Sequence, residues 1–338
     1  MKITRIETIP VRVPIRPQFM IRAARGCHAV SPFLLVKIHT TDGIVGLGEV
    51  SCTPRWSGED QVTAAHFIHH YMAPLLEGED PTALECLALK LEQVVARNSF
   101  TKAALEMALW DILGKAAGMP VYQLLGGPVR DAVPTKWSVS GVEPEQSAGI
   151  AAWAVDQGFR TLKVKVGIEP DADVARVRAV RKQVGPDVRL GVDVNGGWRP
   201  DDALQVIPRF YDDNVYFVEQ PVSPSDVFGM ADVRRGIRVP VIADESVYTE
   251  QDAAALIRAE AADVLSVYVG KAGGIAAARR IVALAEAAGV ACTVGSNLEM
   301  GVGSAAMIHL AMATAGIQAE AFPCDIIGPL YYEDDLLT

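Results

Sequence analysis

Three short apolar runs in this 338-residue chain each end on a carboxylate: Asp193 in GVDVNGG, Glu219 in FVEQP and Asp244 in IADES. The acids follow one another at intervals of 26 and 25 residues, so each holds the same place in consecutive units. Taken singly, each reads equally well as a helix cap or an ion-pair partner. In register they read as a metal site. Carboxylates aimed into one low-dielectric mouth repel unless a cation neutralises them, and an all-oxygen donor set suits Mg²⁺ or Mn²⁺ better than zinc or copper. Upstream, TLKVKVG sets Lys163 and Lys165 two apart, which on a strand puts both side chains on one face. Close ammonium groups lower each other's proton affinity, and a lysine so tuned serves as a general base near neutral pH. Leu162, Val164 and Val166 on the opposite parity also need burial, which makes this a strand covered on both faces.

The elements that must position these groups are legible as a pattern. From about residue 131, β-branched runs at 135–139, 161–166, 190–194, 215–218, 241–243, 264–269 and 290–294 alternate with helical stretches. Such βαβ repetition predicts an α/β fold, a parallel (β/α)7β TIM-like barrel closed by a strand within the last twenty residues, with chemistry at the C-terminal strand tips. An open doubly wound sheet would carry G-x-G-x-x-G after an early strand, and the chain has none. Before it, strands are expected at 3–13, 33–39 and 44–50, with a turn at Thr41-Asp42-Gly43, then helices at 61–76, 82–96 and 101–117. Ser99 is expected to cap the last helix and Gly118 to stop it. Gly43, Gly46 and Gly48 read as hairpin punctuation, and His66, His69 and His70 as an exposed polar helix face.

The ordered motifs K-x-K, D-x-N, V-E-Q-P, A-D-E-S and K-x-G-G resemble those of the enolase superfamily, and within it the muconate cycloisomerase-like subgroup of the mandelate racemase/muconate lactonizing enzyme family. The run TKAALEMALWDILGKAAGMPVYQLLGG is similar to the helix that leads from the family's capping domain into its barrel, so the likeness spans nearly the whole chain. It implies an α+β capping domain at 1–125, to which a segment at about 322–338 returns, and a catalytic barrel at 126–321. It also implies that Asp193, Glu219 and Asp244 ligate the metal, Lys165 is an acid/base, Lys163 tunes it and Asn195 supports the ligand shell. The reaction implied is removal of a proton alpha to a small-molecule carboxylate through a metal-stabilised enolate.

The chain departs from the subgroup where a second acid/base lysine is usual, three residues before the K-x-G-G lysine; here that position is Tyr268. Lys271 lies past the strand as a supporting residue, unless a bulge at Gly270 turns it into the opposing base. With an unperturbed pKa near 10, tyrosine is a poor base. One-face reactions, cycloisomerisation or syn elimination of water, are therefore favoured over a racemase or epimerase of amino-acid derivatives or dipeptides. A metal-binding barrel that has lost catalysis is the reading outside enzymes. The run PCDIIGPLYY resembles the cycloisomerase-type ending, with Asp325 where an acid is usual and Ile327 where dipeptide epimerases have a second one. Ser296, Asn297, Glu299 and Glu320 are further pocket candidates. So are Arg22 and Arg25, which with His28 sit in the loop 19–30 that covers the mouth in this family, and whose charge suits an anionic or polar ligand.

Bulk properties agree. A net charge of -10, from 41 acidic and 31 basic residues, repels nucleic acid. No run approaches the roughly 20 apolar residues of a membrane span. Five cysteines without a C-x-x-C pair suit reduced thiols, hence a cytoplasmic enzyme, and barrels of this sort are expected to self-associate as homo-oligomers.

Overall fold

A computed structural model describes residues 1–335. Alternating apolar and polar residues make β1 (Ile3–Pro14), and loop 19–30 folds into a small hairpin, β2 (Ile21–Ala23) with β3 (Gly26–His28). β4 (Val30–Thr40) and β5 (Val45–Ser51) complete an antiparallel sheet of order β1-β4-β5. Helices Gln61–Phe67 and Leu84–Val94 follow, then the largely buried helix Ser99–Ala117 packs on the sheet. Gly43 holds the turn at φ +78°, as its type suggests. Gly46 and Gly48 do something else: a Cβ at Gly48 would sit 1.8 Å from the Ala104 carbonyl oxygen, and one at Gly46 2.1 Å from that of Ala108. Residues two apart on the strand thus meet residues four apart on the helix, backbone against backbone. Ser99 does not cap this helix, because Asn98 before it takes left-handed φ. The Glu59 carboxylate accepts from Phe100 N and Thr101 N instead, a buried anion against the positive helix end. Gly118 ends the helix at φ 62°.

The second layer is a seven-stranded, all-parallel sheet of order β12-β11-β10-β9-β8-β7-β6. Its strands are β6 (Trp137–Val139), β7 (Thr161–Lys165), β8 (Arg189–Asp193), β9 (Val215–Glu219), β10 (Val241–Ala243), β11 (Val264–Val267) and β12 (Ala291–Val294). They are buried on both faces, as helix-covered parallel strands must be. Two expected bounds in this sheet move by two residues, the others by one at most: β6 starts at Trp137, and β11 stops at Val267, with Val269–Ala272 coiled into a short helix. No regular strand closes the ring among the described residues. The two edges are linked by isolated bridges, Cys292 with Ile317 and Thr135 with Cys324, around Pro323, which has no N–H to donate. Tyr332 then pairs with Ile15 and donates to Ser31 Oγ; residues 336–338 of the expected returning segment lie outside the described residues. All five cysteines are free, His66, His69 and His70 are exposed, and among the described residues no helix is long and apolar enough to cross a membrane.

Candidate active site

The parallel register fixes the constellation. Lys165 lies directly beside Asp193, and Asp193 beside Glu219, at the ends of β7, β8 and β9, with Asp244 just past β10. Past the tips the backbone turns sharply, with Asn195 at φ 48° and Gln220 at φ 38°. Gln220 staples two tips together: its Oε1 accepts from Asp244 N at 2.9 Å, and its Nε2 donates to Ser246 Oγ at 2.7 Å. Asn195 donates to Glu245 Oε1, and the same Glu245 meets Arg25 from the β2–β3 hairpin at 3.5 Å, which ties the N-terminal loop to the strand tips.

Lys163 stands among the acids. Its Nζ donates to Glu219 Oε1 at 2.5 Å and Asp325 Oδ2 at 3.0 Å, with Asp193 Oδ2 at 3.4 Å. Burial alone would lower its proton affinity, yet Asp325, Glu219 and Asp193 outweigh that and hold it well above the usual ammonium range. Asp193 Oδ2 lies between the two ammonium groups, 3.4 Å from Lys163 Nζ and 2.6 Å from Lys165 Nζ. Burial raises Asp193 too, but the two ammonium charges prevail and its carboxyl sits below its ordinary value. Lys136, which no motif singled out, pairs with Asp325 at 2.9 Å.

The cations thus answer much of the carboxylate repulsion, and among the described residues no three His, Cys, Asp or Glu groups converge as a finished metal shell. The donor chemistry nonetheless fits a hard divalent ion. Glu219 Oε2 is buried with no partner, and burial pushes this carboxyl up to about 8 despite Lys163. Glu245, whose Oε2 is also unpartnered, is pushed up to about 7 by burial and by Asp244. Carboxylates left this short of positive charge, on neighbouring strand tips, are the oxygens that Mg²⁺ recruits.

A cavity of about 370 Å³ opens over these tips. It brings together Lys163, Lys165, Asp193, Asn195, Asp244 and Tyr268, with Ser296, Asn297 and Asp325, under a roof that includes Arg25 and Trp56. Glu219 lies beneath Lys163, fully buried. β7 and β11 are four strands apart in the sheet order, so Lys165 and Tyr268 face each other across the curl. Tyr268 donates to Asp244 Oδ2 at 2.8 Å, and burial holds its phenol well above 10.

Other candidates fall away. Lys271 is not turned inward by a bulge; it is buried behind Tyr268 and donates to Asp244 O, Asp244 Oδ1 and Ser266 O. Glu299 is buried outside the cavity, where it accepts from Ser296 Oγ and Asn297 N and shapes their loop. Glu320 is exposed and pairs with Arg130, and Arg22 is exposed and outside the cavity lining, its backbone N bonded to Ser140 Oγ and its O accepting from Gly141 N. Trp56 and Glu245 were missed; only the D-E pair of IADES offered a signal, since an aromatic residue in a loop offers none.

A curled parallel sheet with acids and lysines at its C-terminal tips, beneath an antiparallel module, defines the enolase-like class of carboxylate enzymes. The chain belongs to the mandelate racemase/muconate lactonizing enzyme family of the enolase superfamily: that family's N-terminal domain matches residues 3–126, and the enolase C-terminal domain-like family matches residues 147–337. It is 38% identical over 341 residues to L-Ala-D/L-Glu epimerase of Bacillus subtilis, covering 100% of this chain and 91% of that protein. It is 34% identical to muconate cycloisomerase 1 of Rhodococcus opacus, covering 100% and 90%. Its fold is similar to that of the dipeptide epimerase from Enterococcus faecalis solved with Mg and L-Leu-L-Tyr, with a TM-score of 0.95, 32% identity, and coverage of 100% and 94%.

Proposed function

We propose that this chain is a (β/α)7β-barrel enzyme that takes the proton alpha to a small-molecule carboxylate from one face, with Lys165 as base, in a cycloisomerisation or a syn elimination of water. The reading rests on one observation: across the curl from Lys165 stands a phenol held on Asp244, while the amine behind that phenol, Lys271, is spent on three oxygens. Asp193, Glu219 and Asp244 would hold Mg²⁺, or Mn²⁺ in its place. When bound, that ion supplies positive charge to the substrate carboxylate and to the negative charge that develops as the proton leaves.

The side chains do the rest. Lys165 Nζ, 2.6 Å from Asp193 and 3.1 Å from Asn195 Oδ1, is oriented by both and accepts the proton at nitrogen. Lys163 stays charged beside it and faces the growing negative charge. Ser296 and Asn297 line the other side, and Arg25 anchors the roof that excludes water. The unit boundaries 1–125, with the C-terminal segment returning, and 126–321, cytoplasmic residence and self-association belong to the same proposal.

The likeness to epimerases favours a second reading, two-base inversion of an amino-acid derivative or dipeptide, which would need Tyr268 to act as a base despite a proton affinity far above neutral. Deuterium uptake from heavy water, with Mg²⁺ and a broad carboxylate panel, tests the main reading. Wild type should label at least one compound, and Lys165→Ala should lose about 10²–10⁴-fold in rate with its melting curve intact. Equal labelling by the variant would refute Lys165 as base.

A further inference from the structure

We propose that Trp56 and Tyr268 together screen the face of the substrate opposite Lys165, so that water cannot return a proton there and configuration is retained; this rests on the one-base reading. Trp56 comes from the loop after β5 and stacks on Tyr268, with ring centroids 5.3 Å apart and planes 16° from parallel. Both rings line the cavity. The pair is fixed from several sides. Phe100 meets Trp56 edge-on at 5.9 Å, and Tyr248 donates its hydroxyl to Trp56 O at 3.3 Å. Tyr268 has its hydroxyl on Asp244, and its ring fits only because Gly295 lacks a side chain: a Cβ there would lie 1.9 Å from Tyr268 Cε1. The Lys271 ammonium is 4.1 Å from the Tyr268 ring centroid and 5.8 Å from that of Trp56, a cation that binds both rings to the barrel without reaching the cavity.

The chemical consequence follows from proton balance. Lys165 takes H⁺ from the α-carbon, leaving the C–H electron pair delocalised into the carboxylate, and the same ammonium returns H⁺ or D⁺ to the face it came from. Inversion needs a second donor on the far face. Among the described residues no lysine lines that side, and the Tyr268 hydroxyl is engaged on Asp244, so the remaining donor is water, which two stacked aromatic rings exclude. Trp56 is a screening residue, whose loss should alter stereochemical outcome more than rate.

The experiment incubates the enzyme with Mg²⁺ in heavy water and the two hands of N-acetyl amino acids, dipeptides and 2-alkylsuccinates, then separates enantiomers. Wild type should label one hand with inverted product at or below about 1%, whereas Trp56→Ala should raise the inverted, labelled fraction about tenfold, with Trp56→Phe between them. Trp56→Phe keeps a ring in place and carries the test if the alanine variant unfolds. An inverted fraction unchanged in the variants while labelling continues overturns the screen and leaves the one-base reading standing. Inversion by wild type, or no labelling of any probe, overturns both.

Discussion

Replacing Lys163 by methionine removes one buried cation and keeps the side chain's volume. Its Nζ contacts three carboxylates, but the loss is unequal. Asp193 keeps Lys165 at 2.6 Å and Asp325 keeps Lys136 at 2.9 Å, whereas Glu219 loses its contacting ammonium and retains an oxygen that already has no partner. Breaking a buried pair by removing one partner costs about 3–5 kcal/mol, because the remaining charge stays out of water. Glu219 limits that cost, because its carboxyl, pushed up to about 8, is already largely protonated near neutrality. At about 2 °C per kcal/mol for a chain of this size, the full cost corresponds to about 6–10 °C, and Lys163→Met should melt below wild type in chelator by a few degrees within that bound. Mg²⁺ should then stabilise the variant more than wild type, since it meets carboxylates that no longer hold an ammonium; at a hundredfold over its Kd it contributes about 2.7 kcal/mol. Differential scanning fluorimetry with EDTA and with Mg²⁺ reads both quantities. A variant that melts with wild type, or one whose deficit Mg²⁺ leaves unchanged, refutes the account of Glu219 as the under-compensated carboxylate.

Two further outcomes follow from the fold. Burial pushes Glu49 up to about 8 from 4.5, even though Gly303 N and Met300 N donate to it; folded protein therefore holds a proton that the unfolded chain releases, and stability falls as pH rises through that window. Unfolding free energy by urea at pH 5 and pH 8 should drop by a few kcal/mol more in wild type than in Glu49→Gln, and parallel pH slopes would count against it. Gly48→Ala forces a methyl to within 1.8 Å of the Ala104 carbonyl oxygen, a backbone contact that cannot rotate away, so it should cost about 3 kcal/mol or more in the same assay. A loss below about 1 kcal/mol would mean that the strand and helix separate easily.

The acids and the paired lysines were legible because a parallel barrel repeats one strand and one helix per unit and carries its polar groups where strands end. The register adds something the motifs imply but do not state: Lys165 is directly opposite Asp193, so the same pairing that assembles the site also offsets the repulsion from Lys163. The closing segment was legible in position only; Pro323 breaks the pattern that would have made it a strand. Glycines at 46 and 48 did leave a signal, since small residues two apart opposite alanines four apart mark a strand lying on a helix rather than a turn. Trp56 left none. It reaches Tyr268 through a loop whose path is set by Glu59 on the start of a helix and by Tyr248 on its backbone, contacts between residues far apart in the chain. Arg22 and Glu320 show the same limit from the other side: closeness to a motif says nothing of direction, and one side chain faces solvent while the other pairs with Arg130. Chemistry that depends on strand position can thus be read along the chain, whereas the surface facing Lys165, on which the proposed stereochemical outcome turns, is built by loop contacts between residues far apart in the chain.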